Sequence, residues 1–169
     1  MLTGLLDRTS GISQLENRLM NAAEKSMHAL FVIDIDHLKE INNKLGHVMG
    51  DTALKDIADA LTASFREADI VSRFGGDDFV VLMTDIDNKG LAVKKAEDLC
   101  AVFRKNYGDE AISQNISASI GISIFPDHGT HHEELLNFAE KAMCAAKARG
   151  GNGCTLYMAE NCGGAYEEE

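Results

Sequence analysis

The side chains in this sequence best suited to chemistry are carboxylates, and they come in two tight groups. Asp34 and Asp36 close the run His28–Asp36 (HALFVIDID), and Asp77 and Asp78 follow Gly75-Gly76. Adjacent carboxylates repel each other, so a close pair is tolerated only in water or beside a cation. Mg²⁺ is commonly held by one or two carboxylates together with substrate phosphates. Asp34 with Asp77 and Asp78 makes such a set if the segment carrying the second pair lies beside the strand carrying the first. Each group also has an ordinary explanation. Asp and Gly dominate solvated turns, and an Asp after a buried strand can simply cap the next helix.

The elements that must position these groups follow from the apolar pattern. His28–Asp36 is apolar and rich in β-branched residues, which predicts a buried central strand. Ile70–Phe74 and Phe79–Thr84 read as the arms of a β-hairpin, with Gly75-Gly76 as a two-residue turn and both Asp residues at or beside its tip. Helical spacing predicts a helix from Ser10 to about Ser26, carrying Ile12, Leu15 and Leu19 on one face. A short helix follows over His37–Gly46, and another opens at Asp51 with Leu54, Ile57, Ala58 and Leu61 as its stripe. Leu91 to about Tyr107 and His131–Arg149 are two further amphipathic helices. In the second, Leu135, Leu136, Ala139, Met143 and Ala146 face inward. Ile116–Phe125 alternates as a strand, and Cys154–Met158 is a last one. The expectation is one α/β domain over residues 1–158, a mixed sheet with helices on its faces, followed by a flexible tail over 159–169.

Composition narrows the function. The chain has 169 residues, 45% hydrophobic and 25% charged, which suits one ordinary globular domain. Its net charge of -11 argues against a broad nucleic-acid or anionic-membrane surface. A small phosphorylated ligand remains compatible with that charge, because a metal ion can supply the local positive field. No apolar run is long enough to cross a bilayer and no signal peptide is visible. The four cysteines show no C-x-x-C spacing, which fits reduced thiols and a cytoplasmic location.

Read in order, Phe31-Val32-Ile33-Asp34-Ile35-Asp36-His37-Leu38-Lys39-Glu40-Ile41-Asn42-Asn43, Gly46-His47, Gly50-Asp51 and Arg73-Phe74-Gly75-Gly76-Asp77-Asp78-Phe79 resemble the GGDEF domain of diguanylate cyclases. Ser119-Ile120-Gly121-Ile122-Ser123 and Ala145-Ala146-Lys147 extend the resemblance to nearly the whole chain. It implies a palm-like nucleotidyl-cyclase fold with a mixed, mostly antiparallel central sheet. It also implies two such domains, each bringing one GTP, that condense the pair to cyclic di-GMP and release pyrophosphate.

Carried over by resemblance, Asp34, the carbonyl of Ile35, Asp77 and Asp78 hold Mg²⁺, with Mn²⁺ as the alternative ion. Asp77 stands at the general-base position. Asn42 and Asp51 read guanine, since a carboxylate accepts from its N1–H and exocyclic amine and adenine offers no such pair. The ordinary reading of Asp51 is a helix N-cap. His47 lies between them and touches substrate, and Lys39 and Lys147 contact phosphate. Arg66-Glu67-Ala68-Asp69 matches the R-x-x-D product-binding site, where Arg66 forks onto phosphate and Asp69 accepts from guanine. The ordinary reading of that pair is a surface ion pair.

The resemblance also has breaks. Asp78 stands where Glu is usual, Gly151 where Arg is usual, Cys144 for a frequent Tyr, Glu140 for a frequent Asp and Asp7 for a usual Asn. No Asp precedes Leu2-Thr3-Gly4-Leu5. The expectation is a Mg²⁺-dependent cyclase weakened at the metal by Asp78, acting as a homodimer in bacterial signalling, with a sensory domain expected upstream. A rival reading is a degenerate GGDEF domain that senses GTP or cyclic di-GMP. A weaker one is a nucleotidyl cyclase of another product.

Overall fold

In the computed structural model, which describes residues 2–162, the apolar run forms strand β1 (His28–Asp36) with the expected bounds. Its side chains alternate between two cores. Ala29, Phe31, Ile33 and Ile35 face α2 (Leu38–Leu45), α3 (His47–Ser64) and α4 (Lys89–Phe103). Leu30 and Val32 face α1 (Arg8–Met20) and α5 (His132–Ala148). Burial on both faces is why the strand reads as a continuous hydrophobic run.

Around β1 the sheet runs β2 (Ile70–Arg73), β3 (Asp78–Met83), β1, β5 (Ser113–Phe125), β4 (Lys105–Gly108), and β6 (Gly153–Leu156) also pairs with β5. The β5–β6 pairing is parallel and the other pairings are antiparallel. This is the mixed, mostly antiparallel sheet flanked by helices that the sequence predicts. α5 lies very close to it: a side chain at Gly121 of β5 would collide with the Ala139 carbonyl and the Met143 amide of α5. That contact sits one turn before Lys147 and fixes the depth at which the helix carries it.

The structure corrects several boundaries. α1 ends at Met20 instead of continuing to Ser26; Met20 is exposed and the Asn21 side chain folds back onto the Asn17 carbonyl. α3 begins at His47, so Asp51 lies inside the helix and its capping reading falls. α4 ends at Phe103, and Tyr107 belongs to β4, a strand absent from the sequence reading. The hairpin connection is the four residues between Arg73 and Asp78, not a two-residue turn, and neither Gly75 nor Gly76 takes a left-handed φ. Of the expected tail, Ala159–Cys162 forms a short helix, α6. Residues 163–169 lie outside the described residues. No helix among the described residues is long and apolar enough to cross a membrane.

One buried polar group makes the fold sensitive to acid. His28 is 1% exposed and stacked on Phe125, and its Nδ1 accepts the Asp85 N–H at 2.9 Å. Burial pulls its imidazolium below the ordinary histidine value, against the opposing pull of Asp85. The unfolded chain therefore binds a proton that the native chain refuses, so stability is present above about pH 6.5 and is lost as the pH falls below it. Thermal midpoints measured from about pH 7.5 down to pH 5.5 should decline. His28→Gln, which keeps an acceptor but cannot ionise, should flatten that slope; an unchanged slope assigns the acid loss elsewhere.

Candidate active site

The register of two strands builds the site. β1 and β3 pair so that Asp34 stands directly opposite Asp78. The hairpin loop then docks on the strand end, where the Ile35 amide donates to the Asp77 carbonyl at 3.1 Å. Arg73 ties the loop shut, donating through Nε to the Gly75 carbonyl at 3.0 Å and through Nη2 to the Gly76 carbonyl at 2.7 Å. A Cβ at Gly75 would sit 3.6 Å from the Asp78 carboxylate, an ordinary contact distance.

The outcome is a cluster in which carboxylate oxygens of Asp34, Asp77 and Asp78 lie within 4.8 Å of one another. Asp34 is 6% exposed, and its Oδ1 is buried without a hydrogen-bond partner. Its Oδ2 is ion-paired with Lys147 of α5. Burial, and after it the neighbouring Asp77 charge, pushes the Asp78 carboxyl above its ordinary range. Burial likewise pulls the Lys147 ammonium down. An all-oxygen set with one unsatisfied buried carboxylate oxygen fits a hard divalent cation such as Mg²⁺ or Mn²⁺.

The cluster opens into a cleft of about 390 Å³ whose lining includes Asp34, Ile35, Asp77, Lys39, Lys147 and Gly151. Lys39 is exposed in the first turn of α2. Asn42, His47 and Asp51 are not in the lining of that cleft; they belong to the α2–α3 junction. There the Asn42 carboxamide lies over Gly50, where any side chain would collide with it. Lys39 and Asn42 stand one turn apart on α2, which therefore links the cleft to the junction.

Arg66 and Asp69 are far from the cluster. They precede β2, and Asp69 holds Thr84 just beyond β3, so they sit at the open end of the hairpin, roughly 20 Å from its tip by strand length. Arg66 has a largely exposed side chain, whereas the Asp69 side chain is 2% exposed. The Asp69 carboxylate accepts from the Thr84 amide at 2.9 Å, the Thr84 hydroxyl at 3.0 Å and the Arg66 amide at 2.9 Å. The pair is thus more than a surface ion pair, and Asp69 is already engaged inside the fold.

Sequence reasoning did not assign a role to Asp36. Its carboxylate accepts from Ser117 Oγ at 2.7 Å, Ser119 Oγ at 2.8 Å and the Asn152 amide at 2.9 Å. It fastens the turn after α5 to the strand that carries Asp34. The alternation of serines in Ile116-Ser117-Ala118-Ser119 was the available signal.

The chain is similar to known proteins in sequence and in fold. The sequence model of the family described as diguanylate cyclase, GGDEF domain, matches residues 1–153. The diguanylate cyclase TpbB of Pseudomonas aeruginosa is 36% identical over 153 residues, covering 88% of this chain and 35% of TpbB. The cyclic di-GMP phosphodiesterase NbdA of the same organism is 33% identical over 160 residues, covering 92% of this chain and 20% of NbdA. The chain thus spans about a third or less of these curated relatives. The solved GGDEF domain of TpbB superposes with a TM-score of 0.87 at 33% identity, covering 95% of this chain and 94% of that one.

The raised Asp78 carboxyl has a consequence for stability. At neutral pH the folded chain must hold it ionised against burial and Asp77, a constraint absent once the chain unfolds. Asp78→Asn should raise the denaturation midpoint of the metal-free protein at neutral pH, with the gain shrinking as acid protonates Asp78. A lower midpoint at neutral pH would show that its charge is already compensated.

Proposed function

The chain belongs to the GGDEF family, and we propose that it is a diguanylate cyclase domain, condensing two GTP to cyclic di-GMP in the cytoplasm. The convergence of Asp34, Asp77 and Asp78 beside a cleft with Lys39 and Lys147 carries this reading. Asp34, the Ile35 carbonyl, Asp77 and Asp78 would hold the divalent ion, Mg²⁺ or Mn²⁺. Bound there, the ion would offset triphosphate charge and polarise the α-phosphate. Lys39 and Lys147 bind the phosphates. Asn42, His47 and Asp51 orient the base. Asp77 accepts the proton of the attacking 3′-hydroxyl. Each 3′-hydroxyl attacks the α-phosphate of the other GTP, and pyrophosphate leaves. The two nucleotides come from two copies of the domain, so the active form is a homodimer, and a sensory domain is its expected driver. Arg66 and Asp69 receive the product, which must compete with Thr84 for the Asp69 carboxylate.

A second reading has its own support. Asp78 is one methylene shorter than the usual Glu, and Mg²⁺ accepts distorted octahedral sites poorly. Gly151 brings no side chain to the cleft. Both favour a domain that binds GTP or cyclic di-GMP without turnover, and a relative named as a phosphodiesterase also contains a matching segment.

Incubation with GTP and Mg²⁺ should yield cyclic di-GMP at a rate per molecule that rises with protein concentration. Asp34→Asn should abolish turnover in a folded protein. Asp51→Ala should cut the preference for GTP over ATP by roughly tenfold or more, because it removes the acceptor for two guanine donors. Binding of GTP without product at high metal and protein concentration would select the sensor reading. Unchanged turnover in Asp34→Asn would refute the metal assignment.

A further inference from the structure

We propose that Lys147 is the resident counter-ion of the carboxylate cluster, neutralising Asp34 until a divalent cation displaces it into the cleft. This rests on the assignment of the cluster as a metal site and adds a competition within it. Three carboxylates meet within 4.8 Å, and the most buried of them, Asp34, pairs with the Lys147 ammonium. The pairing is one-sided: Oδ2 is occupied, while Oδ1 is buried and has no partner. A lysine is a point charge with a single centre and satisfies only part of such a set. A divalent ion carries twice the charge and takes several oxygens at once.

The fold aims Lys147 at Asp34 from several directions. Close contact of α5 with Gly121 sets the helix depth one turn earlier. Beyond Lys147, the Gly150 amide returns to the Lys147 carbonyl at 3.0 Å and the Gly151 amide to the Ala146 carbonyl at 3.2 Å. The Asn152 amide then donates to Asp36, two residues from Asp34 on the same strand face, at 2.9 Å. Helix end and strand end are thereby fastened together beside the ion pair. The Lys147 side chain is itself 42% exposed, so it has an open path into the cleft once Asp34 lets go. Lys39 lines the same cleft and carries the same charge, but among the described residues its ammonium is in no ion pair. Displacement therefore does two things together: it clears Asp34 for the ion and frees a cation for the phosphates that arrive with it.

The test is isothermal titration with Mn²⁺ alone, in the absence of nucleotide. If Lys147 occupies Asp34 about nine-tenths of the time, its removal raises apparent affinity about tenfold. Lys147→Met should therefore bind Mn²⁺ about tenfold more tightly than the unaltered protein, and Lys147→Gln should repeat the gain with a polar neutral side chain. Lys39→Met should shift affinity by about twofold or less, as expected of a screened charge that makes no direct contact. Asp34→Asn should abolish the binding. Equal affinity in the unaltered and Lys147 variants, with Asp34→Asn still abolishing it, would overturn the counter-ion role and leave the metal site standing. An equal gain from Lys39→Met would reduce the effect to general charge and overturn it too. Absence of Mn²⁺ binding in every protein would remove the metal site itself, and the proposal with it.

Discussion

The site depends on the antiparallel register of β1 and β3, which sets Asp34 opposite Asp78. A slip of one residue would turn every β3 side chain to the other face. Phe79, Val80, Val81 and Leu82 prevent that slip, because each is buried and they alternate between two separate cores. Hydrophobic burial along the strand that carries Asp78 is therefore what holds three like charges together. Arg73 and the Ile35 amide then close the remaining freedom of the hairpin loop.

The arrangement opposes the ordinary tendency of charges to separate. Asp78 is held where burial and Asp77 both disfavour its ionised form, and Asp34 keeps a buried oxygen without a partner. Such features cost stability and cluster at functional sites. The surrounding polar groups behave differently. Asp36, Asp69 and Asp56 each accept several hydrogen bonds and fasten neighbouring elements together. The chain thus separates carboxylates that build the fold from those gathered at the cleft, where one buried Asp34 oxygen has no partner.

Much of this was legible in the sequence because hydrophobic pattern dictated it. β1 has its expected bounds, and the order of helices and strands follows the apolar stripes. The failures came where local signals were short or conflicting. β4 has a single buried residue, Tyr107, and its pattern is too brief to register as a strand. Gly46, with φ 87°, separates two helices that abut, so the first turn of α3 at His47-Val48-Met49 lacks the buried stripe that marks the rest. Gly75-Gly76 suggested a tight turn because glycine is frequent there, yet neither residue takes the left-handed φ that such a turn uses. The meeting of Asp34, Asp77 and Asp78 could be stated only on the condition that the hairpin lay beside β1. The engagement of Asp69 with Thr84 and of Asp34 with Lys147 is tertiary, and no local pattern announces it.

The proposed role of the paired strand ends is to hold a divalent metal for a guanine nucleotide. The most direct measurement is anomalous scattering from crystals of the protein grown with Mn²⁺ and a non-hydrolysable GTP analogue. An anomalous peak is expected within coordinating distance of Asp34, with the hairpin carboxylates and the Ile35 carbonyl around it and the triphosphate alongside. A nucleotide bound elsewhere, or a peak away from Asp34 with the Lys147–Asp34 pair intact, would contradict it.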